Sequence, residues 1–163
     1  MIKLVSRGRY FLFVGLCLLL AACHSLPPVG EQLPVLNEHK LYQVTELEEQ
    51  QSKLQSLLII EPQTDDIWRW IQVDALGAPI SRQVLQQGQW RNDGFLPPNP
   101  QARALFIAVY VYLSREAGGL DKVPTETLAE IRVEEQLDSV LLSYQDKQWL
   151  IKSLPTEADR ELE

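Results

Sequence analysis

The sequence predicts an α+β domain in which a curved antiparallel sheet wraps over a central apolar helix. Three features indicate this fold. Short β-prone runs follow one another at hairpin spacing between residues 40 and 91, an apolar run with helical spacing begins near residue 100, and strand-like runs resume after residue 129. This order of strands, helix and strands is typical of α+β architecture, because the sheet and the helix bury their apolar faces against each other.

The first group of runs predicts several short strands joined by tight turns. They are expected at residues 40–45, 54–61, 67–76, 80–86 and 89–91. The third run alternates regularly, so Trp68 and Trp70 should share one face of its strand. Gly77 and Gly88 are turn residues between the runs, and this spacing favours an antiparallel meander.

The next segment predicts one long helix. Asn99 can cap the first free backbone N–H groups, and Pro100 fits the first helical position. Gly118 and Gly119 are typical of a helix end. The run from 104 to 113 is apolar on almost every side, so the helix should be buried over most of its surface. Its Val, Ile and Tyr residues would also suit a strand, but the two end signals favour the helix.

The last part of the chain predicts a short helix and three strands. The helix is expected at residues 124–128 and the strands at 129–134, 139–145 and 148–154. Asp146 and Lys147 should form the tight turn between the last two strands.

The amino terminus has the pattern of an export signal. Residues 1–10 carry three basic side chains and no acid, and an apolar run follows them. This run is shorter than the roughly 20 residues that span a bilayer, so residues 1–22 are predicted to be a signal peptide that is removed. Leu20-Ala21-Ala22-Cys23 resembles the bacterial lipobox. That resemblance implies acylation of Cys23 with diacylglyceryl and palmitate-type chains, followed by cleavage just before it.

The lipobox also implies a location and a domain plan. An Asp after the acylated Cys usually retains such lipoproteins in the inner membrane, and here the residue is His24. We therefore expect an outer-membrane anchor and a periplasm-facing domain. Residues 23–38 are Pro-rich and are predicted to form an extended, lipidated tether. The domain is expected at 39–154, and residues 155–163 are predicted to form a disordered acidic tail.

Composition excludes some functions. Removal of residues 1–22 would leave 12 basic against 22 acidic side chains, and no basic patch is present, so we expect no nucleic-acid partner. No spacing typical of a metal site, a nucleophile elbow or a phosphate-binding loop occurs, so the sequence predicts no catalytic residue, metal or cofactor and does not favour an enzyme. Asp65 and Asp66 are interpreted as a solvated turn.

The apolar side chains allow two interpretations. They either form an ordinary core between sheet and helix, or they enclose an apolar cavity that takes a lipid-like ligand. The candidate cavity-lining residues are Trp68, Trp70, Leu105, Phe106, Val109, Tyr110 and Leu113. Phe95 and Leu96 are candidates for a loop that touches a membrane or a partner, with burial at the core edge as the alternative.

A resemblance bears on this choice. Leu26-Pro27-Pro28, the strand end Asp74 to Gly77, and the Pro-containing loop before the apolar helix resemble features of a family of uncharacterised bacterial lipoproteins. Members of that family are encoded beside fatty-acid-synthase-like clusters, including aryl polyene clusters. The family is in turn similar to the outer-membrane lipoprotein receptor LolB and its periplasmic partner LolA, whose half-closed barrel and helical lid enclose an acyl-binding cavity.

The resemblance implies a non-enzymatic carrier. Such a protein would accept a lipid-like cargo (an acyl chain, a glycolipid or a polyene lipid) from a periplasmic carrier protein and help to place it in the outer membrane. One feature departs from LolB-type receptors, because their longer Trp- and Arg-bearing first strands have no match here. The competing hypothesis is an envelope interaction or structural lipoprotein with a filled core.

Overall fold

The computed structural model describes residues 26–36, 38–64 and 66–156, and it confirms the α+β class. Eight antiparallel strands form one sheet in the order β5-β4-β3-β2-β1-β8-β7-β6. The outermost strands, β5 and β6, do not pair with each other, so the sheet is not closed. The elements are β1 (Lys40–Glu48), β2 (Gln51–Thr64), β3 (Ile67–Asp74), β4 (Pro79–Gln86), β5 (Gln89–Asn92), α1 (Pro100–Glu116), a 3-10 turn (Leu120–Lys122), α2 (Thr125–Glu130), β6 (Ile131–Glu135), β7 (Val140–Tyr144) and β8 (Lys147–Leu154).

Every predicted strand is present, but several boundaries differ. The short helix expected at 124–128 is found at Thr125–Glu130, so β6 begins at residue 131 and not at 129. β1 and β2 are longer than expected because a turn at Glu49 and Gln50, with φ angles of 51° and 65°, joins them directly. β3 ends at Asp74 instead of residue 76 because its side-chain Oδ1 accepts hydrogen bonds from the Leu76 and Ala78 amides at 2.9 and 2.8 Å. The turn before β8 uses residues 145–146 rather than 146–147.

The end signals of the long helix are confirmed. The Asn99 side chain accepts hydrogen bonds from the amides of residues 101 and 102, both at 3.1 Å. At the other end, the Gly119 amide donates to the Ser114 carbonyl at 2.8 Å, and Gly118 has a φ of 68°. Every residue from 104 to 111 is buried, as expected for a helix without a polar face. One side of α1 faces the sheet, and another layer must therefore cover the opposite side.

Residues 26–36 supply part of that second layer. We call them the strap. Val29 and Leu33 expose only 6% of their surface and belong to the main core. The Gly30 amide donates to the Tyr110 hydroxyl on α1 at 3.1 Å. The sequence predicted an extended tether for residues 23–38. In the structure its described part, from Leu26 to Leu36, packs against the domain, because the outer side of α1 needs apolar cover. Residues 1–25, which include the predicted signal and Cys23, and residues 157–163 of the predicted tail lie outside the described residues.

The strap also contacts the regions next to both edge strands of the sheet, β5 and β6. Thr127, in the helix just before β6, donates to the Pro28 carbonyl at 2.5 Å. The next residue along the strap, Val29, lies against Gly88 in the β4–β5 turn, where an added Cβ would be 3.0 Å from the Val29 carbonyl oxygen. Because consecutive strap residues contact both regions, the two edges of the sheet approach each other. The sheet must therefore curl around α1.

Replacing Gly30 with Ala should loosen the strap. A Cβ at this position would lie 2.1 Å from the Lys122 carbonyl oxygen and 2.8 Å from the Tyr110 hydroxyl, and such overpacking costs about 1–3 kcal/mol. We expect a lower free energy of unfolding in urea. Gly119→Ala is the control, because its new Cβ would come no closer than 3.7 Å to other groups. Equal stability of the two variants would contradict tight packing of the strap.

Candidate functional site

The side chains predicted to line a cavity all belong to the main hydrophobic core. None of them exposes more than 3% of its surface. They are Trp68, Trp70, Leu105, Phe106, Val109, Tyr110 and Leu113. The structure therefore brings the predicted residues together, as both the cavity and the ordinary core interpretations require.

Aromatic rings occupy the space between β3 and α1. The Trp70 ring centroid lies 5.4 Å from that of Trp90, 5.4 Å from that of Phe106 and 6.0 Å from that of Trp68. Trp90 and Phe106 are 5.8 Å apart. Such separations are typical of rings in direct contact. For these four side chains, the packing is that of an ordinary core.

Two of the predicted residues border hollows that open at the surface. Leu105 lies beside a recess of about 50 Å³ near the start of α1. Leu113 lies beside a much larger hollow of about 380 Å³, between the strap and the end of α1. Only the second is large enough for part of a lipid chain, since ligand sites usually measure about 300–1,000 Å³.

The larger hollow continues into a neighbouring one of about 330 Å³. Both contain Tyr42 of β1, Tyr112 and Glu116 of α1, and Ser153 of β8. We call the two hollows together the Tyr112 groove. Its first wall is formed by the strap residues Val35 and Leu36, and its second by the β6–β7 turn, residues 136–139, followed by Val140.

The groove has exposed apolar side chains on both walls. Val35 exposes 64% of its surface, and Leu137 is fully exposed at 104%. Each of these side chains borders one of the two hollows, so a ligand in the groove could cover apolar surface on both walls. Polar side chains also contribute to the lining, so the groove suits an amphipathic ligand better than a purely apolar one.

Tyr42 and Tyr112 lie at the centre of the groove in edge-to-face contact. Their ring centroids are 6.4 Å apart and the rings cross at 77°. Burial, together with the nearby Tyr112 and Glu116, raises the pKa of the Tyr42 phenol well above its usual range. Burial and the carboxylates of Glu116 and Glu135 also raise the pKa of Tyr112. Both phenols therefore stay neutral well into the alkaline range.

The charged side chains around the groove are mostly paired. Arg115 approaches Glu135 at 3.9 Å, Lys152 approaches Asp138 at 2.9 Å, and Lys40 pairs with Glu38. Glu116 takes part in none of the ion pairs formed among the described residues. The groove therefore carries one carboxylate whose charge is not balanced by a neighbouring cation.

The predicted membrane or partner loop lies at the opposite end of the strands. Phe95 is fully exposed at 109%, whereas Leu96 is partly buried. Leu76, at the β3–β4 turn near the same end, is 93% exposed. Arg69 and Arg82 hold Asp93, at the base of the loop, with contacts of 3.0 and 3.1 Å. Phe95 therefore does not tuck into the core edge, and Leu76 joins it as a second exposed apolar tip.

The described residues hold no group of three His, Cys, Asp or Glu side chains that could bind a metal ion. Within the same residues, no helix is both long and apolar enough to cross a membrane. Asp66 of the predicted acidic turn is exposed, and Asp65 lies outside the described residues.

Sequence reasoning did not identify the groove. Its central residues come from two elements far apart in the chain, Tyr42 from β1 and Tyr112 and Glu116 from α1, and Leu137 comes from a turn. Tyr112 is one of two tyrosines in the helix, and only the other, Tyr110, was among the predicted residues. No pattern in the sequence marks Glu116 or Leu137. Comparison with known proteins adds no assignment, since no family model, no curated protein and no solved structure matches the chain.

Stability should fall at high pH because of the groove tyrosines. The pKa of Tyr42 is raised in the folded protein, while in the unfolded chain it is about 10. Above pH 10 the unfolded phenol loses its proton first, so the free energy of unfolding should decrease by up to about 1.4 kcal/mol per pH unit for such a group. Urea unfolding of the wild type and Tyr42→Phe at pH 8 and pH 11 tests this. The variant should lose less stability than the wild type between pH 8 and pH 11. An equal loss in both proteins would contradict a raised pKa for Tyr42.

Proposed function

We propose that this protein is an outer-membrane-anchored lipoprotein, facing the periplasm, that binds a lipid-like cargo and helps to place it in the outer membrane. The observation that carries the proposal is the Tyr112 groove, whose two walls present the exposed apolar side chains Val35 and Leu137. The lipobox-like sequence ending at Cys23 supports the anchor. The cargo would be an acyl chain, a glycolipid or a polyene lipid.

The proposal includes a LolB-like relationship of the fold. An open antiparallel sheet that curls around one apolar helix is compatible with the half-closed barrel of that family. In this chain the rings of Trp70, Trp90 and Phe106 contact one another between sheet and helix. We therefore place the cargo in the Tyr112 groove and not among these rings.

Transfer from such a groove needs no nucleotide. Moving an apolar chain from one protein site to another covers about as much apolar surface as it uncovers, at roughly 25 cal/mol per Å². Small differences in fit between a donor, this groove and the membrane then determine the direction. A periplasmic carrier protein is the proposed donor.

The second candidate is an envelope interaction or structural lipoprotein with a filled core. The direct ring contacts around Trp70 favour this candidate, because an ordinary filled core already explains the positions of those side chains. In that case Phe95 and Leu76 would be the docking points, since both project fully from one end of the strands. Cargo bound to the isolated protein separates the two candidates.

Replacing Cys23 should release the protein from the membrane. Cys23→Ala removes the proposed acylation site, and stable anchoring requires the acyl chains. We expect this variant to leave the membrane fraction, and the wild-type amino-terminal peptide to carry the added mass of the lipid. Cys17→Ala is the matched control, because Cys17 lies in the segment that is cleaved off. Membrane retention of the Cys23 variant would contradict the anchor.

Charges on the groove walls should prevent cargo binding. Residues 24–163 contain every described element, so this chain without acyl groups keeps all the packing seen here. Native mass spectrometry after expression in the periplasm should show a bound lipid-like mass. The double variant Val35→Glu, Leu137→Glu should lose it, because both positions are exposed enough to accept charge without disturbing the core.

Leu76→Glu is the control for this experiment. Leu76 is 93% exposed but lies at the opposite end of the strands, so its substitution should leave the bound mass unchanged. A wild-type protein without bound mass and without uptake of a fluorescent fatty-acid probe would overturn the carrier proposal in favour of the interaction module.

A further inference from the structure

We propose that the Tyr112 groove selects cargo that carries a positively charged amine, with the Glu116 carboxylate as its counter-ion beside Tyr42 and Tyr112. This inference rests on the proposed function and specifies the chemical class of the ligand in the same groove. The occupant is an amphipathic monocation: an apolar chain with an ammonium group at its head.

The position of Glu116 is the first argument. It is the exposed last residue of α1, where the helix dipole is negative and a carboxylate is unfavourable. Arg115, the basic residue of the last turn, is directed to Glu135 at 3.9 Å and to the Val133 carbonyl oxygen. The positive charge of a bound ligand would compensate the negative charge of the helix end and of Glu116, which forms no ion pair within the described part of the chain.

The two tyrosines are the second argument. A cation within about 6 Å of an aromatic face is attracted by the ring quadrupole. Tyr42 and Tyr112 meet edge to face, with centroids 6.4 Å apart, and both line the groove with Glu116. A neutral phenol with an adjacent carboxylate is suited to an ammonium group. An anionic headgroup would instead meet the negative charge of Glu116 and of the helix end.

The apolar walls are the third argument. Val35 stands on one side of the tyrosines and Leu137 on the other. A chain attached to the ammonium group can lie along either wall. The combination of one charge and two apolar walls distinguishes this ligand from a simple metal ion or a small polyamine.

Three probes of equal chain length test the charge. Binding of dodecylammonium, dodecanol and dodecanoate to residues 24–163 is measured by calorimetry, below the concentrations at which the probes aggregate. We expect dodecylammonium to bind tightest and dodecanoate weakest. Glu116→Gln should weaken dodecylammonium binding about tenfold and leave dodecanol binding unchanged. Added salt should weaken the binding of dodecylammonium to the wild type and should not weaken that of dodecanol.

Glu126→Gln is the matched control. It removes the same charge from an exposed position on α2, away from the groove, and should change no affinity. Thermal unfolding of each variant confirms that the fold is intact. If the three probes bind equally and Glu116→Gln has no effect, the inference is wrong while lipid binding stands. If none of the probes binds, the proposed function fails together with the inference.

Discussion

The structure depends on the need to bury α1 on all sides. Every residue from 104 to 111 is buried, so the helix has no face that can meet water, and exposure of these side chains would cost about 25 cal/mol per Å². The sheet covers one side only. The strap supplies further cover through Val29 and Leu33, and it is fixed to α1 by the hydrogen bond from Gly30 to Tyr110.

This arrangement changes how a lipid anchor would act on the domain. Only two residues separate Cys23 from Leu26, where the described packing begins. Consecutive Cα atoms are 3.8 Å apart, so an acylated Cys23 would lie within about 11 Å of the packed chain. An anchored domain would therefore sit at the membrane surface, not at the end of a long tether. The strap would link the anchor to α1 and to both edges of the sheet.

The two ends of the strands have different surfaces. One end has the Tyr112 groove, where apolar walls, two neutral phenols and the Glu116 carboxylate meet. The other has isolated apolar tips, Phe95 and Leu76, on turns held by local polar contacts such as those of Asp74. A hollow can enclose a small ligand, whereas single exposed side chains can only touch a larger surface. This difference in shape favours the groove over the tips as the place for the proposed cargo.

The sequence by itself determined the local structure. Alternation defined the faces of β3, and Asn99, Gly118 and Gly119 defined the ends of α1, because these signals act over a few residues. It could not reveal the turn at Glu49 and Gln50, whose positive φ angles occur without Gly or Asn. Nor did it separate strap from tether, since extended Pro-rich chain has the same local pattern whether it is packed or free. Only the tertiary structure decided that residues 26–36 pack against the core. It also decided that Tyr42, Tyr112 and Leu137 share a groove. The reason is that contacts between distant segments depend on how the sheet curls around α1.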